Sequence, residues 1–292
     1  MSVIIDAQTR VLVQGITGQE GRFWTGRMIG LGTNVVAGVT PGKEGQEVEG
    51  VPVFDTVRRA TEEFAADASL LFVPPRFARD AVYEALDAGI RTVVVLCEGI
   101  PVHDALRIRK AALVQNAMVI GGNTSGVIST GEAMMGFFPY WIERVYRPGR
   151  IGVMTRSGSL TNEVTAQIVE AGLGASTLVG IGGDSVPLTR FAEVLPLFES
   201  DPGTDAVVII GELGGTMEEE VAEAIAGESF TKPLVASLGG RTAPEGTKMG
   251  HAGAIVTAGK GTVEAKISAL ESAGALVADR PSNVGGLLRE VV

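Results

Sequence analysis

The chain has 292 residues and carries 24 Lys and Arg against 34 Asp and Glu, a net charge of −10 at neutral pH. With 45% hydrophobic and 20% charged residues it is not a disordered composition, and its acidity argues against general binding to nucleic acid. A single cysteine, Cys97, excludes an intramolecular disulfide and makes a structural zinc site a poor expectation, so no metal site is predicted.

The amino-terminal Met1-Ser-Val-Ile-Ile-Asp6 lacks a basic segment followed by a long apolar stretch. No apolar run approaches the ~20 residues that cross a bilayer. A cytoplasmic chain with no membrane partner is therefore expected. Short, β-branched, unbroken apolar runs at 11–14, 35–39, 69–73, 92–96 and 118–120 read as strands buried on both faces. Between them, 20–29, 56–65, 77–88 and 103–115 have helical spacing. The alternation predicts βαβ units on a parallel sheet, a first doubly wound domain over 1–126.

Residues 127–149 break this rhythm. They hold five of the chain's fifteen aromatics, Phe137, Phe138, Tyr140, Trp141 and Tyr146, and read as an aromatic-rich link. The pattern then restarts, with strands at 151–154, 177–181, 206–210 and 233–237 and helices at 160–171, 191–198, 217–225 and 262–272. A second doubly wound domain over 150–292 is predicted, with ligand sites at the carboxyl ends of the strands in both halves.

Two segments carry chemistry. In the first, strand 11–14 runs into Gly15-Ile-Thr-Gly-Gln-Glu-Gly21. Without a Cβ at the glycines, backbone N–H groups can approach a phosphate at the positive end of the following helix, and Thr17 adds a hydroxyl. The bland alternative is a tight turn with no ligand. An NAD site would have an acid at the end of the second strand, whereas Val39-Thr-Pro-Gly-Lys43 ends in a lysine, which suits the extra ribose phosphate of coenzyme A or NADP. The second segment is Arg241-Thr-Ala-Pro-Glu-Gly-Thr-Lys-Met-Gly-His-Ala-Gly-Ala-Ile255. His251 lies among small residues that leave room for a bulky group on the imidazole. A metal reading lacks a second ligand; a nucleophile reading needs an orienting acceptor and a phosphoryl cradle. Glu212, in Gly211-Glu-Leu-Gly-Gly215, is the candidate acceptor, and the turn Arg156-Ser157-Gly158-Ser159 before a predicted helix is the candidate cradle. A buried histidine satisfied by a backbone carbonyl is the alternative. His103, at a predicted helix start, reads as a surface or capping residue.

With these residues in view, the chain resembles the alpha subunit of succinyl-CoA synthetase along nearly its whole length. The resemblance is carried by Gly15-Ile-Thr-Gly18, Gly38-Val-Thr-Pro-Gly-Lys43, Phe72-Val-Pro74, Glu98-Gly-Ile-Pro101, Arg156-Ser-Gly158, Gly180-Ile-Gly-Gly-Asp184, Gly211-Glu-Leu-Gly-Gly215 and Gly250-His-Ala-Gly-Ala-Ile255. It implies an α/β chain with an amino-terminal Rossmann-like CoA-binding domain, then a flavodoxin-like ligase domain. It implies a phosphorylated His251 supported by Glu212 and held by Ser157, Gly158 and Ser159. Gly15, Thr17, Gly18, Gln19, Lys43, Val73, Pro74 and Glu98 match the neighbourhood of coenzyme A. An acyl phosphate formed from the carboxylate is then displaced by CoA. There is no Walker A sequence, since Gly259-Lys260 is followed by Gly261. ATP or GTP with Mg is therefore expected mainly on a beta subunit of nucleotide-grasp fold, in an αβ or α2β2 assembly.

The departures concern the acid. Gly121-Gly-Asn-Thr-Ser-Gly126 replaces the family's Gly-Pro-Asn-Cys-Pro-Gly, so Thr124 stands for a cysteine; Asn162 stands for a tyrosine; and Ser185-Val-Pro-Leu-Thr-Arg190 replaces a proline-glycine-serine pattern. Asn123, Thr124 and Asn162 are thus the candidate carboxylate contacts. The substrate is expected to be succinate or a related short carboxylate. Malate–CoA ligation, citrate cleavage, and a non-catalytic CoA- or dinucleotide-sensing module are the alternatives. The added aromatics are open between a pocket wall and a subunit interface.

Overall fold

The computed structural model describes residues 3–241, 250–256 and 261–292. Residues 242–249 of the histidine segment and the Gly259-Lys260 pair lie outside these. The chain divides into two units: residues 4–138 with 186–189, and residues 139–185 with 190–292.

The first unit runs β1 (Arg10–Gln14), α1 (Gln19–Leu31), β2 (Asn34–Val39), β3 (Glu47–Val48), β4 (Val51–Phe54), α2 (Val57–Glu63), β5 (Ala68–Leu71), α3 (Ala78–Asp87), β6 (Thr92–Val95), α4 (Val102–Val114), β7 (Met118–Gly121), β8 (Gly126–Ser129) and β9 (Ala133–Gly136). Its main sheet has the order β3-β4-β2-β1-β5-β6-β7, parallel but for the β3–β4 edge. Helices cover it through apolar stripes, as α3 does with Ala78, Val82, Ala85 and Leu86. The strand order reverses between β1 and β5, which opens a crevice at their carboxyl ends, the ordinary place for a ligand in such a fold.

The second unit runs β10 (Pro148–Thr155), α5 (Gly158–Glu170), β11 (Ala175–Gly180), α6 (Phe191–Ser200), β12 (Ala206–Glu212), α7 (Met217–Ala226), β13 (Leu234–Gly239), α8 (Val263–Ser272), β14 (Leu276–Ala278) and α9 (Val284–Val291). Its strands lie parallel in the order β14-β13-β12-β10-β11, the flavodoxin-like arrangement. Every residue of β12 is buried, as the unbroken apolar run from Ala206 leads one to expect for a strand covered on both faces. Here the reversal falls between β10 and β12, so Arg156 and Glu212 emerge side by side.

All the predicted strands and helices are present, with ends displaced by at most three residues. Four features have no counterpart in the sequence reading. The β3–β4 edge is short and interrupted by Pro52. The segment 127–149, read without strands, begins with the antiparallel hairpin β8–β9, whose runs are too short to show a period. Thr33 fixes it: its Oγ1 donates to Met134 O at 3.0 Å and accepts from Met134 N at 2.9 Å. β14 and α9 close the chain. Gly285 and Gly286 disguise α9, yet a Cβ at Gly285 would lie 2.5 Å from Gln167 O, so the glycine is what lets α9 approach α5.

The loop after β1 depends on Gly15. It has φ +77°, and a Cβ there would fall 2.2 Å from the Phe72 carbonyl oxygen. Gly42 has φ +74° with nothing within 4 Å. Gly15→Ala is expected to destabilise the chain by ~2 kcal/mol or more, and Gly42→Ala by ~1 kcal/mol, in denaturant unfolding. Equal losses would show that the contact with Phe72 plays no part.

Candidate active site

In the first unit, Gly15 N donates to Val39 O at 2.7 Å and Gly18 N to Gly15 O at 3.1 Å, folding the loop back before Gly18 caps α1 in extended backbone. The cleft beyond the loop, about 440 Å³, is lined by Gly18, Gln19, Val73 and Pro74 together with Phe72, Cys97 and Phe137. Four predicted ligand residues thus share one wall. Gly15 and Thr17 build the loop behind it, and the Thr17 hydroxyl donates to Thr40 Oγ1 at 3.1 Å. Lys43 and Glu98 are exposed on the loops after β2 and β6 and are not among the residues lining the cleft. Lys43 is held by its own backbone, whose N–H donates to Asp55 Oδ1 at 2.9 Å.

In the second unit, His251 Nδ1 and Glu212 Oε2 are 2.7 Å apart. The imidazole is one-quarter exposed at 25%, so the ring has an open side. Gly183 backs it: a Cβ at that position would lie 2.4 Å from His251 Cγ. Two residues on, Gly253 N donates to Gly183 O at 3.1 Å, tying the histidine turn to the loop after β11. Ser157 caps α5, its Oγ accepting from Leu160 N at 3.4 Å and lying 3.4 Å from Ser159 Oγ. Gly158 faces open space. The first turn of α5 therefore presents small side chains, backbone N–H groups and the positive helix end, a favourable place for an anion.

What joins the Ser157 turn to the imidazole is Arg156, which the sequence reading left without a role. Its Nη2 is 3.1 Å from Glu212 Oε1, and its Nη1 donates to Gly214 O at 2.9 Å. Nη1 is also 3.4 Å from Glu218 Oε1, which accepts from Glu212 N at 3.1 Å. Glu218 pairs in turn with Lys266, and both side chains are 0% exposed. Lys266 Nζ further donates to Gly215 O and Glu219 Oε2, each at 3.2 Å. Behind the imidazole, charges thus alternate along one buried line: Glu212, Arg156, Glu218, Lys266. Such groups are tolerated in a dry interior only when paired and hydrogen-bonded. A sequence signal for Lys266 does exist, since it sits on the buried stripe of α8 between Val263 and Leu270. Glu218 in the acidic run 218–220 reads instead as a solvated helix start.

The three candidate carboxylate contacts are placed differently. Asn123 has φ +56°, and its N–H donates to Cys97 O at 2.8 Å. Thr124 is buried, and its Oγ1 accepts from Gly126 N at 2.9 Å. Asn162 lies on the exposed face of α5, where its Oδ1 accepts from the Tyr146 hydroxyl. Burial pushes the Tyr146 hydroxyl well above the usual tyrosine range, which keeps it a donor. The aromatics of 137–146 divide. Phe137 lines the cleft of the first unit, Phe138 and Tyr146 are buried, and Trp141 is exposed. Among the described residues no cluster of three or more His, Cys, Asp or Glu is placed to hold a metal, and no helix is long and apolar enough to cross a membrane.

A Rossmann-like unit followed by a flavodoxin-like unit, each with a site at its strand-order reversal, defines a CoA-binding domain joined to a CoA-ligase domain. Residues 6–99 match the CoA binding domain family and residues 154–276 the CoA-ligase family. The chain belongs to the alpha-subunit family of succinate–CoA ligases. It is 50% identical over 292 residues to the ADP-forming succinate–CoA ligase subunit alpha 2 of Archaeoglobus fulgidus, covering all of both chains. It is 67% identical over 291 residues to the ADP-forming sulfoacetate-CoA ligase subunit SqwL of an Acholeplasma species, covering 100% of this chain and 98% of that one. It is 64% identical over 292 residues to the subunit SauD of the same kind from Bilophila wadsworthia, covering all of both. Among solved structures it is similar to ATP citrate lyase of Methanosaeta concilii in complex with (3S)-citryl-CoA, with a TM-score of 0.90 and 29% identity over 98% of this chain. It spans 50% of that longer chain.

Lys266→Met would leave Glu218 in a dry site without its ammonium partner. The expected loss is about 3–5 kcal/mol in urea unfolding. A loss under about 1 kcal/mol would contradict the pairing.

Proposed function

We propose that this chain is the alpha subunit of an ADP-forming acid–thiol ligase that works through a phosphorylated His251. The observation that carries this is the 2.7 Å contact between His251 Nδ1 and Glu212 on a ring with an open side. With Nδ1–H donated to the carboxylate, Nε2 keeps its lone pair and is the nucleophile. That lone pair forms the N–P bond as the bond from the γ-phosphorus to its bridging oxygen breaks, and the nucleoside diphosphate leaves with the electron pair. Glu212 faces the positive charge that then develops on the ring. The start of α5 at Ser157, Gly158 and Ser159 receives the phosphoryl oxygens. The carboxylate substrate next takes the phosphoryl group, returning the electron pair to Nε2. CoA sulfur then forms the C–S bond at the acyl carbon as the bond from that carbon to the phosphate oxygen breaks, and phosphate departs with the electron pair and takes up the thiol proton.

Residues 1–126 hold the CoA in this reading, with its chain against Gly18, Gln19, Val73 and Pro74; residues 150–292 carry the phosphohistidine. Lys43 reaches for the ribose phosphate from its loop. ATP with its Mg belongs to a beta subunit of nucleotide-grasp fold, in a cytoplasmic heteromer, and the ADP-forming relatives favour ATP over GTP. Sulfoacetate is the preferred acid, because the relatives at 67% and 64% identity are named for it. Thr124 and Asn162 stand where this chain departs from the succinate pattern and Asn123 adjoins Thr124, so the three are the proposed determinants of acid choice. A sulfonate is a permanent anion with three acceptor oxygens, and hydroxyl and amide donors suit it.

Two outcomes test this. With its partner subunit and γ-labelled ATP, the chain should acquire an acid-labile, base-stable label, and His251→Ala should abolish it and lower turnover by at least ~10³-fold. Undiminished labelling of that variant would remove His251 from the reaction. In a screen of sulfoacetate, succinate, malate and citrate, CoA-dependent ADP release should be fastest with sulfoacetate; a preference for succinate would overturn the substrate assignment.

A further inference from the structure

Resting on the proposed phosphohistidine, we propose that Arg156 is a positioning residue for it. Arg156 clamps Glu212 by one oxygen so that the other faces His251, and the buried Glu218–Lys266 pair governs how much of the guanidinium charge the imidazole feels. Glu212 has two oxygens with separate partners. Oε2 meets Nδ1 at 2.7 Å, and Oε1 is 3.1 Å from Arg156 Nη2. Among the described residues Oε1 has no hydrogen-bond partner, so the ion pair alone locates it. Arg156 cannot swing away, because Nη1 donates to Gly214 O at 2.9 Å and the side chain is only 3% exposed. Gly253, two residues beyond the histidine, fits against it, with a Cβ position 3.1 Å from Nη2.

The physical consequence concerns where a proton rests. With the guanidinium on Oε1, Glu212 offers Oε2 as an acceptor, so the Nδ1 proton stays on the ring rather than passing to Glu212. A ring that keeps this proton leaves phosphorus as neutral imidazole, a far better leaving group than imidazolate. In the unphosphorylated chain the same cation opposes a second proton on Nε2 and so keeps the nucleophile free. Glu218, one step further along the line, acts with the opposite sign. Among the described residues, the other charged groups around the turn are Asp184, which follows the Gly183 that backs the ring and is itself buried, and Glu219 and Lys266 at the far end.

The chain has only two histidines, and His103 is exposed on α4, so it serves as an internal reference. Nitrogen-15 NMR titration of the full chain should give an imidazole pKa for each. Arg156→Gln is expected to raise that of His251 by about one unit, and Glu218→Gln to lower it, with His103 unmoved in both. The opposite signs are the signature, since a general loosening of the site would move the two variants the same way. Should Arg156→Gln lose the dispersed spectrum of a folded chain, the downward shift in Glu218→Gln still decides. Unchanged titration of His251 in the folded variants, or shifts of the same sign, would overturn the proposal. In the complex, the acid limb of His251 labelling should follow the same shifts, with the KM for the carboxylate changed less than twofold. The titration needs no phosphate, so it stands or fails separately from the labelling on which the function rests.

Discussion

The bond between His251 Nδ1 and Glu212 decides what the imidazole is able to do. An imidazole has two nitrogens, and the hydrogen bond made by one sets the chemistry of the other. With Nδ1 given to a buried carboxylate, Nε2 is the nitrogen that carries the ring's lone pair. Gly183 makes room for the ring there, because a side chain at that position would occupy the ring's own volume. The rest of the second unit serves this arrangement. β10 and β12 bring Arg156 and Glu212 to adjacent strand ends, and α7 and α8 supply the buried charges behind them.

Burying four charged side chains in one line is an expensive way to hold a carboxylate. An apolar core of the same volume would be at least as stable. What the charges add is a fixed orientation and a fixed electrostatic setting for one reactive group. Their spacing along the chain, from Arg156 to Lys266, also means that the site exists only when the entire second unit is folded. Gly214 and Gly215, which follow the end of β12 at positive φ, offer no side chain to hold the Glu212 carboxylate. The first unit solves a simpler problem. In the proposed reading a ligand phosphate and pantetheine chain would need backbone N–H groups, a helix end and apolar walls, which the Gly15–Gly18 loop and the cleft lined by Phe72, Val73 and Phe137 offer.

The parallel sheets were legible because doubly covered strands are written as unbroken β-branched runs, as in 92–96 and 206–210. His251, Glu212 and the Ser157 turn were legible because each follows or precedes such a run and is flanked by glycines. The hairpin β8–β9 was not, since Val127-Ile128 and Ala133-Met134-Met135 are too short for a period and are stabilised by Thr33, a hundred residues away in the chain. Nothing local to Arg156 marks its role, because the adjacent serines account for the turn as a phosphate cradle. Lys266 and Glu218 look like ordinary helix-surface charges one by one. Only their positions on the buried stripes of α8 and α7 mark them, and that mark gains meaning once the two helices are known to be neighbours. Asn162 and Tyr146 form a pair that no local pattern connects, sixteen residues apart.

The central claim is that Glu212 reserves Nδ1 and so sends phosphorus to the other nitrogen. Phosphorus-31 NMR of the labelled protein, unfolded in alkali to preserve the N–P bond, distinguishes the two phosphohistidine isomers directly. The account requires the isomer substituted at Nε2 of His251 as the product. Phosphate at Nδ1, or on any residue other than His251, would contradict it.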